Sequence, residues 1–245
     1  STINKPFEAN QIDELILSDN SDFRVYEPYR GLSNGKTSYF HKSISGYNAA
    51  RPQRMQDVFD FYLFRNNMKV LDMLNVKYIV ELDNNNSLSF KVNKNAKGNA
   101  WFVEKIQKTQ NANEELLSLD KVNLSMIALS KELDNKTYLL SGTNSIKLNS
   151  RKANELIYEV KSSSKQFVVF SEAFYKKGWV ATIEGKENPH FKVNYLLRGM
   201  EVPEGEYNLK FSFDPPVIKT GSMLSIFSFL ILFLSVLVYF KKSFK

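Results

Sequence analysis

The longest apolar run in the sequence begins at Met223 and ends at Phe240, and it contains no charged residue. At about 1.5 Å per residue, a helix of roughly 18 residues is about 27 Å long, close to the hydrocarbon thickness of a bilayer. A buried helix of a soluble domain would normally keep a polar stripe, which this run lacks. The pattern predicts a transmembrane helix, which we assign to residues 217–240.

Residues 1–140 mix two hydrophobic periodicities, one typical of helices and one typical of strands. Helices are predicted over 11–17, from Pro52 through Leu63, over 68–74 and over 112–119. Strands are predicted over 23–27, 76–80, 88–92 and 100–103, and near the end of 122–129. Residues 31–36 and 38–50 show neither period and are predicted to be surface loops.

From about residue 141 the pattern changes to short strands separated by turn residues, with no helical period between them. The strands are predicted over 146–148, 155–161, 166–170, 179–183, 191–194 and 207–213. Regular short strands of this kind favour an antiparallel β-sandwich. The sequence thus predicts an α+β fold: an external mixed region (1–140), an external β-sandwich (141–216), a transmembrane helix (217–240) and a cytoplasmic basic tail (241–245).

Composition narrows the possible functions. The formal net charge is +7, but Lys241, Lys242 and Lys245 supply three of these charges and the remainder is spread along the chain. No dense basic block of the kind that follows nucleic-acid phosphates is present, so we expect no nucleic-acid partner. Without cysteine, and with only His41 and His190 as imidazoles, we expect no metal site and no cofactor.

The lysines after the apolar run indicate orientation. Basic residues that flank a span are retained on the cytoplasmic side, so everything before Lys219 is expected outside the cytoplasmic membrane. The N-terminus shows no signal peptide and begins with Ser. The simplest interpretation is that the chain is the C-terminal piece of a longer membrane protein, whose upstream transmembrane bundle would be a partner together with the lipid bilayer.

Three stretches resemble the C-terminal region of the bacterial YfhO family of polytopic membrane proteins. The first is SYFHKSISGYNAAR at 38–51, followed by MLNVKYIV at 73–80. The second is GNAWFVEKI at 98–106, and the third runs from Phe170 to Pro215 ahead of the apolar run. Together they cover nearly the whole chain in order.

The resemblance implies a C-type glycosyltransferase-like protein of the bacterial cytoplasmic membrane. Such proteins use lipid-phosphate-linked sugars outside the membrane, and some relatives modify cell-envelope polymers such as lipoteichoic acid. The implied partners are a lipid-linked sugar or an envelope glycopolymer. The family's catalytic carboxylate belongs to an early external loop that this chain lacks, so no catalytic residue is assigned and the fragment alone is expected not to be catalytic.

Two groups of residues are candidates for substrate binding. The first, near residues 38–54, could form a sugar- or phosphate-facing lip, because aromatic rings stack on sugars and arginines bind phosphate bidentately. Its members are His41, Tyr47, Asn48, Arg51 and Arg54. Alternatively, the aromatic residues hold the loop to the core, His41 is merely hydrogen-bonded, and the arginines pair with Asp57 or Asp60.

The second group is a possible carbohydrate platform in the β-rich half. Its members are Tyr175, Trp179, Asn194 and Arg198. The alternative is that Trp179 is a core residue, largely buried against the facing sheet, and that Glu172 pairs with Arg198 across the sheet.

Three functional hypotheses remain open from the sequence. The chain could cover the membrane-side active site of a glycosyltransferase-like protein and help hold its acceptor. It could instead be a membrane-anchored carbohydrate-binding or adhesion module without catalysis, or a structural cap on the transmembrane bundle.

Overall fold

The structure is a computed structural model that describes residues 6–31, 33–140 and 142–243. The first residues of the polar opening and the end of the predicted basic tail, 244–245, lie outside the described residues.

The described residues contain six α-helices, which alternate with strands in the first half of the chain and are absent from the second half until its end. They are α1 Gln11–Leu17, α2 Gly35–Phe40, α3 Gln53–Phe61, α4 Met68–Met73, α5 Ala112–Leu117 and α6 Pro216–Ser243. Asparagine side chains accept hydrogen bonds from the first turns of α1, α2, α4 and α5, which is the usual N-cap arrangement.

Fifteen strands lie in the same described ranges. They are β1 Arg24–Tyr26, β2 Val76–Leu82, β3 Leu88–Val92, β4 Ala100–Val103, β5 Lys105–Lys108, β6 Ile127–Ser130, β7 Lys136–Thr137, β8 Ser145–Lys152, β9 Glu155–Ser162, β10 Gln166–Ala173, β11 Trp179–Ile183, β12 Lys186–Glu187, β13 Phe191–Val193, β14 Leu197–Val202 and β15 Gly205–Phe213. The predicted α+β class is therefore confirmed.

The strands form four sheets. Two small sheets, in the orders β1-β2-β3 and β6-β5-β7, each combine one parallel and one antiparallel pair. A four-stranded sheet has the order β13-β14-β10-β4, and a five-stranded sheet has the order β12-β11-β15-β9-β8. These two larger sheets are antiparallel throughout.

Strand β10 shows how the layers pack. Val168 and Phe170 point into a hydrophobic cluster shared with the five-stranded sheet, whereas Phe167 and Val169 point into a second cluster shared with α3, α4 and α5. Successive side chains of a strand face opposite sides, so a strand buried on both faces needs an unbroken apolar run such as FVVF. The four-stranded sheet is thus a central layer between helices and the five-stranded sheet.

The central layer contains a strand from the first half of the chain. Strand β4 pairs with β10 through the register Val103↔Phe167 and Ala100↔Phe170. A division of the chain at residue 140 therefore runs through one continuous sheet.

Some sequence-based predictions of local structure were wrong. Residues 35–40, predicted as loop, form α2, because the Asn34 side chain accepts a hydrogen bond from the Lys36 amide and caps the first turn. Strand β14 was missed because Arg198 and Gly199 interrupt its apolar pattern. A Cβ at Gly199 would lie 2.7 Å from the Phe167 ring and 2.9 Å from Val193, so only glycine permits this packing.

Helix α6 follows β15 almost directly. Its segment Pro216–Tyr239 is long enough to cross a membrane, and an 18-residue stretch of that segment has a mean hydropathy of 2.4 with no residue buried against the described part of the chain. An apolar helical stretch of this length that stays exposed is typical of a membrane span rather than of a core helix.

Candidate functional site

His41 links two short helices. Its Nε2 lies 3.1 Å from Oδ1 of Asp13 in α1, and only 4% of its side chain is exposed. Asp13 also accepts the backbone N–H of Asn10 and forms an ion pair with Lys36 at 3.2 Å. Burial alone would raise the pKa of Asp13, but these hydrogen bonds outweigh it and lower the pKa below its ordinary value. His41 is therefore placed to hold α2 against α1.

The residues after His41 form a turn on the surface. Tyr47 is 80% exposed, and Asn48 accepts a hydrogen bond from the Ala50 amide at 2.9 Å, as in an Asx turn. The Arg51 guanidinium donates to the Gly46 carbonyl at 2.5 Å and lies over a phenylalanine ring of α3. Of the predicted lip, Tyr47 and Asn48 are the members with exposed side chains.

Arg54 points toward the protein instead of toward solvent. It donates to the Tyr195 carbonyl at 2.7 Å, lies 4.3 Å from the centre of the Tyr195 ring, and is 3.9 Å from the buried carboxylate of Glu115. The alternative partners expected for the arginines are engaged elsewhere: Asp57 accepts from the Tyr195 hydroxyl and Asp60 from a side-chain amide of α3. A phosphate-facing role for the lip remains a prediction.

Three of the four residues of the predicted carbohydrate platform lie near one another, and Asn194 does not. Trp179 is partly buried, and the Arg198 guanidinium lies 4.2 Å from its ring centre. Tyr175 is exposed nearby, with its ring 6.3 Å from that of Phe213. Asn194 is elsewhere: it is fully buried, has a φ of 47°, and exchanges backbone and side-chain hydrogen bonds with Leu129.

Arg198 is 3% exposed, and burial lowers its pKa to about 10. Its Nε donates to the Ala173 carbonyl at 2.9 Å. The carboxylate that we expected it to pair with, Glu172, instead forms ion pairs with Arg24 at 3.2 Å and Arg151 at 2.6 Å. Burial would raise the pKa of Glu172, but the positive charges of Arg24 and Arg151 outweigh it and lower the pKa.

The Arg151 guanidinium also donates to Asp22 at 2.8 Å, so one arginine joins two carboxylates. Asp22 further accepts from Lys42 and from the Asn99 amide. Burial would raise the pKa of Asp22, but the Lys42 hydrogen bond and the Arg151 charge lower it. The Asp22 and Glu172 carboxylates are therefore kept ionised, and each is bound by Arg151 and at least one further cation.

This ion-pair network forms part of the wall of an open groove of about 890 Å³, which we call the polar groove. Its wall combines three segments that are distant in sequence, 20–23, 92–100 and 146–151, together with Asn75 and Lys77. Five asparagines line it: Asn20, Asn75, Asn93, Asn99 and Asn149. Asn75, Asn93 and Asn99 already donate their side-chain amides within the protein. The exposed amides of Asn20 and Asn149 are the ones open to a ligand rich in hydroxyl groups.

The charge of the polar groove is strongly positive. Five cationic side chains line it against a single carboxylate, Asp22. Lys77 and Arg151 are paired with aspartates, but Lys94, Lys97 and Lys147 form no ion pair within the part of the chain that the structure describes. The groove therefore offers three free ammonium groups to an anionic ligand.

The polar groove was not predicted from the sequence, because its basic residues are spread along the chain. The signal that could have found it is the segment KVNKNAKGNA at 91–100, which is rich in lysine and asparagine. Among residues 6–31, 33–140 and 142–243, no three His, Asp or Glu residues lie together as potential metal ligands.

Fold and site together define an α+β protein with a cationic polar groove and one apolar helix able to span a membrane. A family model described as "Bacterial membrane protein YfhO" matches residues 33–225. Since this match covers most of the chain, the chain belongs to the YfhO family of bacterial membrane proteins, as its sequence resemblance indicated. No curated protein and no solved structure matches it.

Proposed function

We propose that this chain is the extracytoplasmic C-terminal portion of a polytopic membrane protein that resembles lipid-linked-sugar-dependent glycosyltransferases of cell-envelope polymers. In this proposal the polar groove binds the anionic glycan part of the substrate or acceptor, and α6 anchors the domain in the bacterial cytoplasmic membrane. Lys241 and Lys242 after the span favour an external position for the groove, because flanking basic residues stay on the cytoplasmic side.

The observation that carries the proposal is the combination of amides and unpaired lysines in one groove. Phosphate groups need cationic donors, which Lys94, Lys97 and Lys147 supply. Glycan hydroxyls need partners that donate and accept, which the exposed amides of Asn20 and Asn149 supply. A groove of about 890 Å³ is large enough for a ligand of several sugar or glycerol units.

The experiment is a binding titration of the full chain in nanodiscs, with polyglycerol phosphate as the anionic polymer and dextran as the neutral one. We expect polyglycerol phosphate to bind and the triple variant Lys94→Gln/Lys97→Gln/Lys147→Gln to lose on the order of tenfold or more in affinity, because several charge-assisted hydrogen bonds are removed. Added salt should weaken wild-type binding in the same direction.

A matched control removes three exposed lysines outside the polar groove, Lys121, Lys131 and Lys186. This control variant loses the same charge and should bind as the wild type does. Equal loss of affinity in both triple variants would show that only net charge matters, and the proposed site would be wrong.

A second candidate is a membrane-anchored carbohydrate-binding or adhesion module without catalysis. The observation that favours it is that Asp22 and Glu172, the carboxylates of the groove network, are both held by Arg151 and are not free to act as a base. In the full-length protein, loss of sugar transfer from a polyprenyl-phosphate-linked donor in the groove variant would support the transferase role. Retained glycan binding by a full-length protein without any transfer would support the binding module.

A further inference from the structure

A second cleft lies where the five-stranded sheet meets the membrane span. It has a volume of about 790 Å³. One side of its wall is Pro215 and the start of α6, residues 216–218, and the other side is β11, the end of β15 and the loop before β11. We call the following five residues the juxtamembrane surface: Tyr175, Lys176, Lys177, Trp179 and Phe213. The surface is continuous with the span because Phe213 is separated from Pro216 by only two residues.

The aromatic part of this surface is built by the strand register. Trp179 is the register partner of Phe213, and their ring centres are 5.3 Å apart. A Cβ at Gly178 would lie 2.4 Å from the Phe213 ring, so the ring can occupy this place only beside a glycine. The Gly178 carbonyl also accepts the Asp214 amide at 2.8 Å, which fixes the chain just before it enters α6.

The two lysines of the juxtamembrane surface are exposed and unpaired within the described residues. Lys176 and Lys177 are exposed, and neither forms an ion pair with any residue in the described ranges. Lys219, one turn into α6, is by contrast held by Asp214 at 2.5 Å. The surface therefore presents aromatic rings together with two unpaired ammonium groups beside the start of the span.

We propose that the juxtamembrane surface docks on the headgroup layer of an anionic bilayer. The first residues of α6, up to the polar pair Gly221 and Ser222, rise about 10 Å at 1.5 Å per residue, which is enough to cross one headgroup layer of about 5–8 Å. The residues just before α6 then lie at the membrane surface. Aromatic residues with a polar edge concentrate at this depth, and lysines are attracted to anionic lipid.

A lipid surface explains these residues better than a sugar does. The Trp179 ring, which would be the platform for a sugar, already has the Arg198 guanidinium 4.2 Å from its centre and the Phe213 ring beside it. The lysines would attract anionic lipid headgroups and the adjoining span enters the bilayer, whereas a neutral sugar would gain nothing from either. This inference does not depend on what occupies the polar groove.

The absence of cysteine from the sequence allows a direct test with single fluorescent labels. Full-length chain is labelled at Tyr175→Cys or at Glu204→Cys and reconstituted into vesicles that contain a lipid with a quencher on its headgroup. Glu204 precedes β15, whose nine residues span about 30 Å at 3.3 Å per residue, so it is the distant control. We expect quenching at Tyr175→Cys to exceed that at Glu204→Cys severalfold, and to increase when phosphatidylglycerol is added to phosphatidylcholine.

The charge requirement is tested with Lys176→Glu/Lys177→Glu in the Tyr175→Cys background. This variant should lose the increase that phosphatidylglycerol produces, whereas Lys131→Glu/Lys186→Glu, with the same change of charge on other exposed lysines, should keep it. Because the four lysines are exposed, unchanged melting temperatures are expected and should be checked. Equal quenching at Tyr175→Cys and Glu204→Cys, or equal effects of the two double variants, would overturn the proposal. Protection of the Tyr175→Cys label by a neutral oligosaccharide without lipid quenching would overturn it in favour of the carbohydrate platform.

Discussion

The Arg151 guanidinium donates a hydrogen bond across 2.8 Å to the Asp22 carboxylate, although the two residues are 129 positions apart in sequence. The contact joins β8, at the edge of the five-stranded sheet, to the segment just before β1 in a different sheet. Because Arg151 also binds Glu172 of β10, one side chain ties three elements together beside the polar groove.

Replacing Arg151 should destabilise the fold. Arg151→Ala leaves two largely buried carboxylates without their shared partner, and hydrogen bonds to charged groups contribute about 1.5–3 kcal/mol each. Chemical denaturation should show a fall of that order in the free energy of unfolding. The neighbouring Lys152 pairs with Glu155 on the surface, so Lys152→Ala should change stability by less than about 1 kcal/mol. Equal stability of the two variants would show that the network contributes little.

Glycine at position 199 is predicted to be required by packing. Gly199→Ala places a methyl group within 3 Å of Phe167 and Val193, and such overpacking typically costs about 1–3 kcal/mol. The control is Gly35→Ala in α2, where nothing lies within 4 Å of the added carbon and where alanine should be neutral or stabilise by up to about 1 kcal/mol. Thermal melting of both variants checks this, and a Gly199→Ala protein as stable as Gly35→Ala would contradict the packing of β14.

Glu201 should make stability depend on pH in the acid range. Burial would raise its pKa, but hydrogen bonds from Lys136, Lys165 and Tyr138 outweigh it and lower the pKa from 4.5 to about 2. A carboxyl group whose pKa is lower in the folded state stabilises the fold above its unfolded pKa. This contribution is lost as the pH falls from about 4.5 to about 2.

The measurement compares wild type with Glu201→Gln, which keeps the size of the side chain and an acceptor for Tyr138. Wild type should be the more stable protein at neutral pH, and the difference should shrink as the pH falls below 4.5. A difference in unfolding free energy that stays constant down to pH 2 would mean that the carboxylate charge contributes nothing.

Local patterns were sufficient for much of the fold but not for the polar groove. Helix α1 follows from its spacing, with the Asn10 cap completing it, and the run before Lys241 predicted α6. The groove is instead assembled from three distant segments, and its Arg151–Asp22 contact has no local sequence signal. Long-range pairing of this kind depends on sheet order, which periodicity does not determine.

The residues of each predicted site do not all lie together on the surface, and the reason is again long-range structure. From its residue type, Arg54 was predicted to face a ligand. In the structure it points into the protein, because the buried Glu115 carboxylate and the Tyr195 carbonyl lie there as partners. Asn194 and Tyr195 both have positive φ values, 47° and 70°, which turn the chain so that the Tyr195 carbonyl meets Arg54. Backbone turns of this kind, at residues other than glycine, are uncommon and are not evident from the sequence.

Arg54 therefore has two competing roles that one experiment separates. If its function is structural, Arg54→Ala leaves the buried Glu115 carboxylate without its nearest cation and should lower the unfolding free energy by about 1.5–3 kcal/mol. If it instead faces a phosphate, the melting temperature should be unchanged while transfer by the full-length protein falls. Arg51→Ala is the matched comparison, because Arg51 contacts the Gly46 carbonyl in a surface turn and its loss should affect stability less.

The central claim is that the polar groove faces the cell exterior, and labelling of intact cells tests it most directly. Single cysteines are introduced at Lys147 in the groove and at Asn85 in the turn between β2 and β3, in a chain that has no cysteine of its own. A membrane-impermeant thiol reagent should label Lys147→Cys and Asn85→Cys on intact cells as fully as after lysis. Labelling of both positions only after lysis would place the groove in the cytoplasm and contradict the proposed function.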